Sequence, residues 1–222
     1  MIRLATTERA YPWGTLRSTN ASKVKVILEE KGVAYEVIRL HPGDLWKKPP
    51  EMLVKHPLGK VPYIETDDDG VIFDSTVINE YLDDKYPQNP LKPEGAALLA
   101  RMRMIENFAD EAFLVGSLAS IWMPMWTSPE KRDPEAMEAG RKKLRGQPLG
   151  YLEQVAAGDG FLCGDFTLAD APFMAVAMVL EVDNFDLSGF PNCEAYFNLL
   201  RTRDSYQSIS AKTSLESSAG HS

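Results

Sequence analysis

The sequence predicts an α+β chain in two parts. Residues 1–86 read as a small mixed-sheet domain in the order β-α-β-α-β-β-α, residues 87–94 as a linker, and residues 95–210 as an all-helical domain. Three observations carry this. Two apolar, β-prone runs, 61–64 and 71–73, flank the turn Asp68-Asp69-Gly70; Pro87, Pro90 and Pro93 crowd into one stretch; and from Gly95 onward the apolar period becomes helical and stays so.

Residues 2–6 are β-prone and predict the first strand. Residues 8–17, with Pro12 and Gly14 as breakers and Tyr11 and Trp13 as aromatics, read as a loop. Val24, Ile27 and Leu28 then share one face of a helix whose other positions carry Lys23, Lys25, Glu29 and Glu30, and Gly32 closes it. Residues 34–40 alternate as a second strand, 41–44 break it, and a short helix runs over 47–55. The two runs around the acidic turn and a helix over 76–85 complete the first domain.

In the second domain Leu98, Met102, Ile105, Ala109 and Ala112 recur at steps of four and three. Arg101, Arg103, Glu106, Asp110 and Glu111 lie off that face, which predicts a long amphipathic helix. A Trp/Met-rich stretch, 121–126, and a charged helix over 134–157 follow. Thr167 and Asp170 form a capping box that opens a helix over 171–180, so apolar that it must be buried on all sides. A last helix covers 194–203, and 211–222, Ser-rich from 213, is expected to be a disordered tail.

A net charge of −8 argues against nucleic acid or an anionic membrane as the main partner. No apolar run approaches the roughly 20 residues a membrane span requires, and nothing at the start reads as a signal peptide, so a cytoplasmic location is expected. Cys163 and Cys193 are too few and too far apart for a disulfide framework or a Cys-x-x-Cys site. His41, His56 and His221 lack metal-ligand spacing, so no metal is expected.

The binding chemistry concentrates at 56–78. Pro62 opens a strand where its missing N–H is tolerated, leaving Val61 to offer main-chain N–H and C=O to an extended peptide. Ser75 falls in the first turn of a helix whose free N–H groups attract a carboxylate, and Asp74 beside it suits an amine. A ligand with an amino-acid head and a peptide-like middle satisfies both places. An ordinary edge proline with a simple helix cap is the plainer reading of each feature taken alone.

The pattern Gly59-Lys60-Val61-Pro62-x-Ile64, a Gly turn, and Asp74-Ser75-x-x-Ile78-x-Glu80-Tyr81-Leu82 resembles the glutathione-binding half of the cytosolic glutathione S-transferase family, in its bacterial-type serine/asparagine variant. The resemblance spans nearly the whole chain. It implies a thioredoxin-like first domain, a cis Val61–Pro62 bond, γ-glutamyl binding by Asp74 and Ser75, and a homodimer built through the helix at 95–112 and the small domain. It also matches Ser18 to the family's catalytic serine and Asn20 to an assisting amide, although Thr19 stands where the family usually has proline.

Glutathione is then the co-substrate, its thiol activated by a hydroxyl or amide at a helix N-terminus. Lys60 and one of Lys47 or Lys48 are candidates for its glycyl carboxylate. Tyr11, Trp13, Met102, Phe113 and Trp122 are candidates for an apolar pocket holding a small electrophile, with core packing as their alternative use. The leading expectation is transfer of glutathione to that electrophile. Disulfide reduction or ether cleavage, and a non-catalytic glutathione-binding module, are the alternatives.

Overall fold

A computed structural model of the protein describes residues 1–11 and 14–212. Trp13 and residues 213–222 of the tail expected at 211–222 therefore lie outside the described residues, and the first two residues of that tail are ordered instead, Ala211 being buried and bonded to Thr15. Strand β1 (Ile2–Tyr11) is the spine of the sheet. It pairs in parallel with β3 (Tyr35–Leu40) and antiparallel with β4 (Tyr63–Thr66), which pairs with β5 (Gly70–Phe73). The far half of β1 pairs antiparallel with β2 (Gly14–Arg17), from Glu8 opposite Arg17 to Tyr11 opposite Gly14.

That hairpin corrects the loop expected at 8–17. Its partners come from the other end of the chain. Thr15 N–H donates to the Ala211 carbonyl at 2.7 Å, and a Cβ at Gly14 would lie 2.5 Å from that same oxygen. The buried Arg17 guanidinium donates to the carbonyls of Ser210 (2.8 Å) and Ile209 (3.4 Å) and pairs with Glu8 (3.4 Å). No local signal reveals such partners.

Helix α1 (Thr19–Glu30) ends as expected, with Gly32 in the left-handed region at φ +62°. Two short helices follow β3: α2 (Asp44–Lys47), absent from the sequence expectation, and α3 (Pro50–Lys55), which starts on a proline at its first position. Helix α4 (Ser75–Lys85) closes the first part. The linker is anchored rather than merely stiff. Buried Asp83 accepts from Lys31 Nζ (2.7 Å) and from Leu91 N–H (2.8 Å), and Lys31 Nζ also reaches the Asn89 carbonyl.

The helical half runs α5 (Ala96–Phe108), a π-helical continuation over Ala109–Val115, α6 (Ala119–Met125), α7 (Pro134–Arg145), α8 (Gln147–Val155), α9 (Ala171–Asp183), α10 (Pro191–Arg201) and α11 (Asp204–Ile209). The single helix expected over 134–157 is thus two, broken at Gly146, and the Trp/Met-rich stretch is itself helical. Every residue of α9 from Ala171 to Leu180 is buried, as its composition requires.

Asp170, fully buried ahead of α9, gathers four donors: Thr167 N–H (2.8 Å), Thr167 Oγ1 (3.1 Å), Leu162 N–H (3.3 Å) and Tyr196 Oη (2.7 Å). The box therefore works in one direction: the aspartate accepts from Thr167, and it also ties α10 and the preceding loop to α9. Asp170→Ala would strand these donors in the core. The expected loss is about 3 kcal/mol or more in urea unfolding; a loss under about 1 kcal/mol would show that the network is dispensable.

Candidate active site

Strand register brings three distant segments to one end of the sheet. Ala5 lies opposite Tyr63 in an antiparallel pair, so β1 just past Ala5 runs beside the start of β4, where Val61 and Pro62 lie. Thr7 O accepts from Ser18 N–H at 2.9 Å, which brings in the start of α1. Tyr63 lies opposite Phe73, which brings in Asp74 and Ser75. The Val61–Pro62 peptide is cis.

Ser18 is the N-cap of α1, its Oγ accepting from Ala21 N–H at 3.3 Å. That cap uses an oxygen lone pair and leaves the hydroxyl proton free to donate. Asn20 is half-buried in the first turn, where Thr19 and Asn20 N–H have no intrahelical acceptor. Asp74, rather than Ser75 or Thr76, caps α4: one oxygen, Oδ1, takes Thr76 N–H (3.1 Å) and Val77 N–H (3.3 Å). Asp74 stands at φ +75°, a backbone region that side-chain-bearing residues seldom occupy. Such unfavourable conformations cluster at functional sites. Ser75 follows at the first helical position, with its N–H directed out of the helix end.

His56 belongs to the same corner and was not anticipated. Its ring packs on Phe73 at 4.8 Å between centroids, and its Nδ1 accepts from Leu58 N–H. Burial, with Lys60 second, holds the imidazole below its usual range against the opposing pull of Asp74. Lys47, Lys48 and Lys60 are exposed, and the Lys48 side chain lies across Gly59.

Three of the residues expected in the electrophile pocket pack in the interior. Met102 and Phe113 are fully buried in the helical core. Trp122 is also buried, and its Nε1–H donates to the Arg17 carbonyl at 3.0 Å, so it braces the peptide before Ser18. Tyr11 is half-buried at the tip of β1, with Arg9 over its ring and its hydroxyl 3.5 Å from the Trp126 carbonyl. Burial pushes both cysteine thiols up, which disfavours their thiolates.

Sequence reasoning placed Lys23 and Lys25 on an outer face of α1 and Glu106 and Asp110 on an outer face of the long helix. Lys23, Lys25 and Glu106 are buried instead. Lys23 Nζ bonds both oxygens of Asp110, at 2.7 and 2.8 Å, and reaches Thr76 Oγ1 at 3.3 Å. Three segments thereby lock under the first turn of α4.

Residues 13–90 match the family model described as the glutathione S-transferase N-terminal domain, a span that includes Ser18, the cis peptide and Asp74-Ser75. A stringent starvation protein A homolog of Haemophilus ducreyi is 30% identical over 193 residues, covering 84% of this chain and 83% of that protein. The chain belongs to the cytosolic glutathione S-transferase family. Its fold matches a glutathione S-transferase from Rhodospirillum rubrum with a TM-score of 0.78 at 23% identity, over 97% of this chain and 94% of the other. A glutathione S-transferase from Methylobacillus flagellatus, crystallised with glutathione bound, matches with a TM-score of 0.74 at 22% identity, over 95% and 99%.

The His56 environment gives a direct check on this corner. A base whose folded-state value is depressed adds stability above its ordinary pKa of 6.5, and that share is lost as pH falls through the folded value. NMR titration of the ring protons is expected to find His56 protonating below pH 6.5. Protonation at or above 6.5 would mean that the ring is not enclosed between Phe73 and the 56–60 turn.

Proposed function

We propose that the chain binds glutathione in extended form and stabilises its thiolate for transfer to a small apolar electrophile. The observation that carries this is the convergence of the α1 N-terminus, Val61 and the α4 N-terminus at one end of the sheet. The γ-glutamyl carboxylate takes Ser75, the α-ammonium takes the second oxygen of Asp74, and the main chain of the tripeptide pairs with Val61. Lys60, with Lys47 or Lys48, meets the glycyl carboxylate. A glutathione-bound relative of the same fold supports this reading.

The sulfur then faces Ser18 and Asn20. A thiol with a pKa of about 8.5 is only about 3% ionised at pH 7. A hydrogen bond to the anion contributes roughly 1.5–3 kcal/mol and the helix end roughly 0.5–1. Together they lower the pKa by about 1.5–3 units, at about 1.36 kcal/mol each. The same thiolate would serve disulfide reduction or ether cleavage.

A second reading is a glutathione-binding module without turnover. It is favoured by the sealed positions of Met102, Phe113 and Trp122 and by the name of the Haemophilus ducreyi relative, which is not that of a transferase. In either reading we propose a homodimer through α4 and α5, where Val77 and Met104 stand exposed, 54% and 66%.

Ser18→Asp separates capping from catalysis, because aspartate caps a helix well but, ionised, has no proton to give. It is expected to fold like the native protein, to lose the ultraviolet absorbance of bound thiolate, and to cut turnover roughly 10- to 100-fold with little change in glutathione affinity. Asn20→Ala is expected to lower turnover less. Unchanged turnover in both would remove Ser18 and Asn20 from the chemistry, and absence of a thiolate band in the native protein would favour the binding module.

A further inference from the structure

Beneath the first turn of α4, one buried cation faces one buried and one partly exposed carboxylate. Lys23 and Glu106 are fully buried, and Asp110 is partly so. Lys23 spends its short contacts on Asp110 and stands 3.7 Å from Glu106 Oε1. Thr76 Oγ1 lies 3.2 Å from Glu106 Oε1 and 3.3 Å from Asp110 Oδ2, yet it has one proton and serves one carboxylate at a time. Glu106 Oε2 is buried without a hydrogen-bond partner among the described residues.

Lys23 comes from α1, Glu80 from α4, and Arg103 and Asp110 from the helix that carries Glu106. Arg103 and Glu80 pair with each other at 2.6 and 2.8 Å. Lys92 also stands 3.6 Å from Glu80, whereas the short contacts of Lys23 are spent on Asp110, so ionisation of Glu106 adds a negative charge with no hydrogen-bonded cation of its own among the described residues.

We propose that Glu106 is a positioning residue that makes glutathione binding respond to pH: once ionised, it competes with Asp110 for Lys23 and Thr76 and loosens the turn that holds Asp74 and Ser75. This rests on the reading of α4 as the γ-glutamyl site. Burial, aided by Asp110 and opposed by Lys23, raises the Glu106 carboxyl from 4.5 to about 7. A carboxyl whose folded-state value is raised gives its full share of stability below its unfolded value of 4.5. That share falls as pH rises, and is lost once pH passes about 7. Ionisation also places negative charge near a ligand that is itself a net anion. Both effects weaken binding as pH rises.

The test uses S-methylglutathione, whose sulfur has no proton to titrate, with calorimetric affinities measured from pH 5.5 to 8.5 on the full chain and on Glu106→Gln. Affinity of the native protein is expected to drop roughly fivefold or more through about pH 7, with Glu106→Gln flat within about twofold. Urea midpoints without ligand are expected to fall over the same interval in the native protein relative to the variant. Glu106→Met, similar in length and without a titratable oxygen, takes the place of the glutamine if that variant fails to fold. Matching pH profiles in native protein and variant would overturn the proposal while leaving glutathione binding intact. Absence of binding by the native protein at every pH would overturn the glutathione reading itself, and the urea comparison would then decide whether Glu106 is a proton-responsive lock at all.

Discussion

The ammonium of Lys23 is the constraint from which the rest of the arrangement follows. A cation taken fully out of water must be paired and hydrogen-bonded, because its desolvation costs several kcal/mol. Here the partners come from two other segments: Asp110 at the start of the π-helical turn and Thr76 in the first turn of α4. A buried pair of this kind is weak ground for claiming added stability and better ground for claiming fixed position. It holds α1, α4 and the α5 continuation at one separation. Lys31, two turns further along α1, repeats the device by pairing with Asp83 and reaching the Asn89 carbonyl, which pins the linker.

The proposed binding of glutathione depends on that spacing. The N-termini of α1 and α4, with their free N–H groups and positive dipole ends, start at the end of the sheet where Val61 lies. A tripeptide with a carboxylate at one end and a sulfur in the middle can engage both only if their separation suits it. The C-terminal segment supports the same edge from the other side. Arg17, gripped by the carbonyls of Ile209 and Ser210 and braced through its own carbonyl by Trp122, fixes the peptide that leads into Ser18. The helical half therefore positions the start of α1.

Much of the fold was legible in the sequence because it is written in local signals. The proline-opened strand at 62, the Asp-Gly turn, the Thr167-Asp170 box and the apolar run of α9 each carry their meaning within a few residues. The β1–β2 hairpin was not legible, since residues 8–17 look like a loop until Ala211 supplies the carbonyl that Thr15 needs. Lys23 and Glu106 were misassigned for a related reason: helical periodicity separates polar from apolar faces, but it cannot tell a solvated charge from one that meets an opposite charge on another element. At the candidate site the main-chain features were readable, whereas the uses of Met102, Phe113 and Trp122 depended on how tightly the helical half packs. Gly146 splits α7 from α8 at a residue that the charged pattern ran straight through.

The central claim is that two helix N-termini, held apart by Lys23 at a fixed distance, grip one glutathione along Val61. A crystal structure of the full chain with glutathione tests this most directly. The expected result is the γ-glutamyl group on Asp74 and Ser75, main-chain hydrogen bonds to Val61, and the sulfur within hydrogen-bonding reach of Ser18 or Asn20, all in one molecule of ligand. Glutathione seated elsewhere, or bound through α4 with its sulfur turned away from α1, would contradict it.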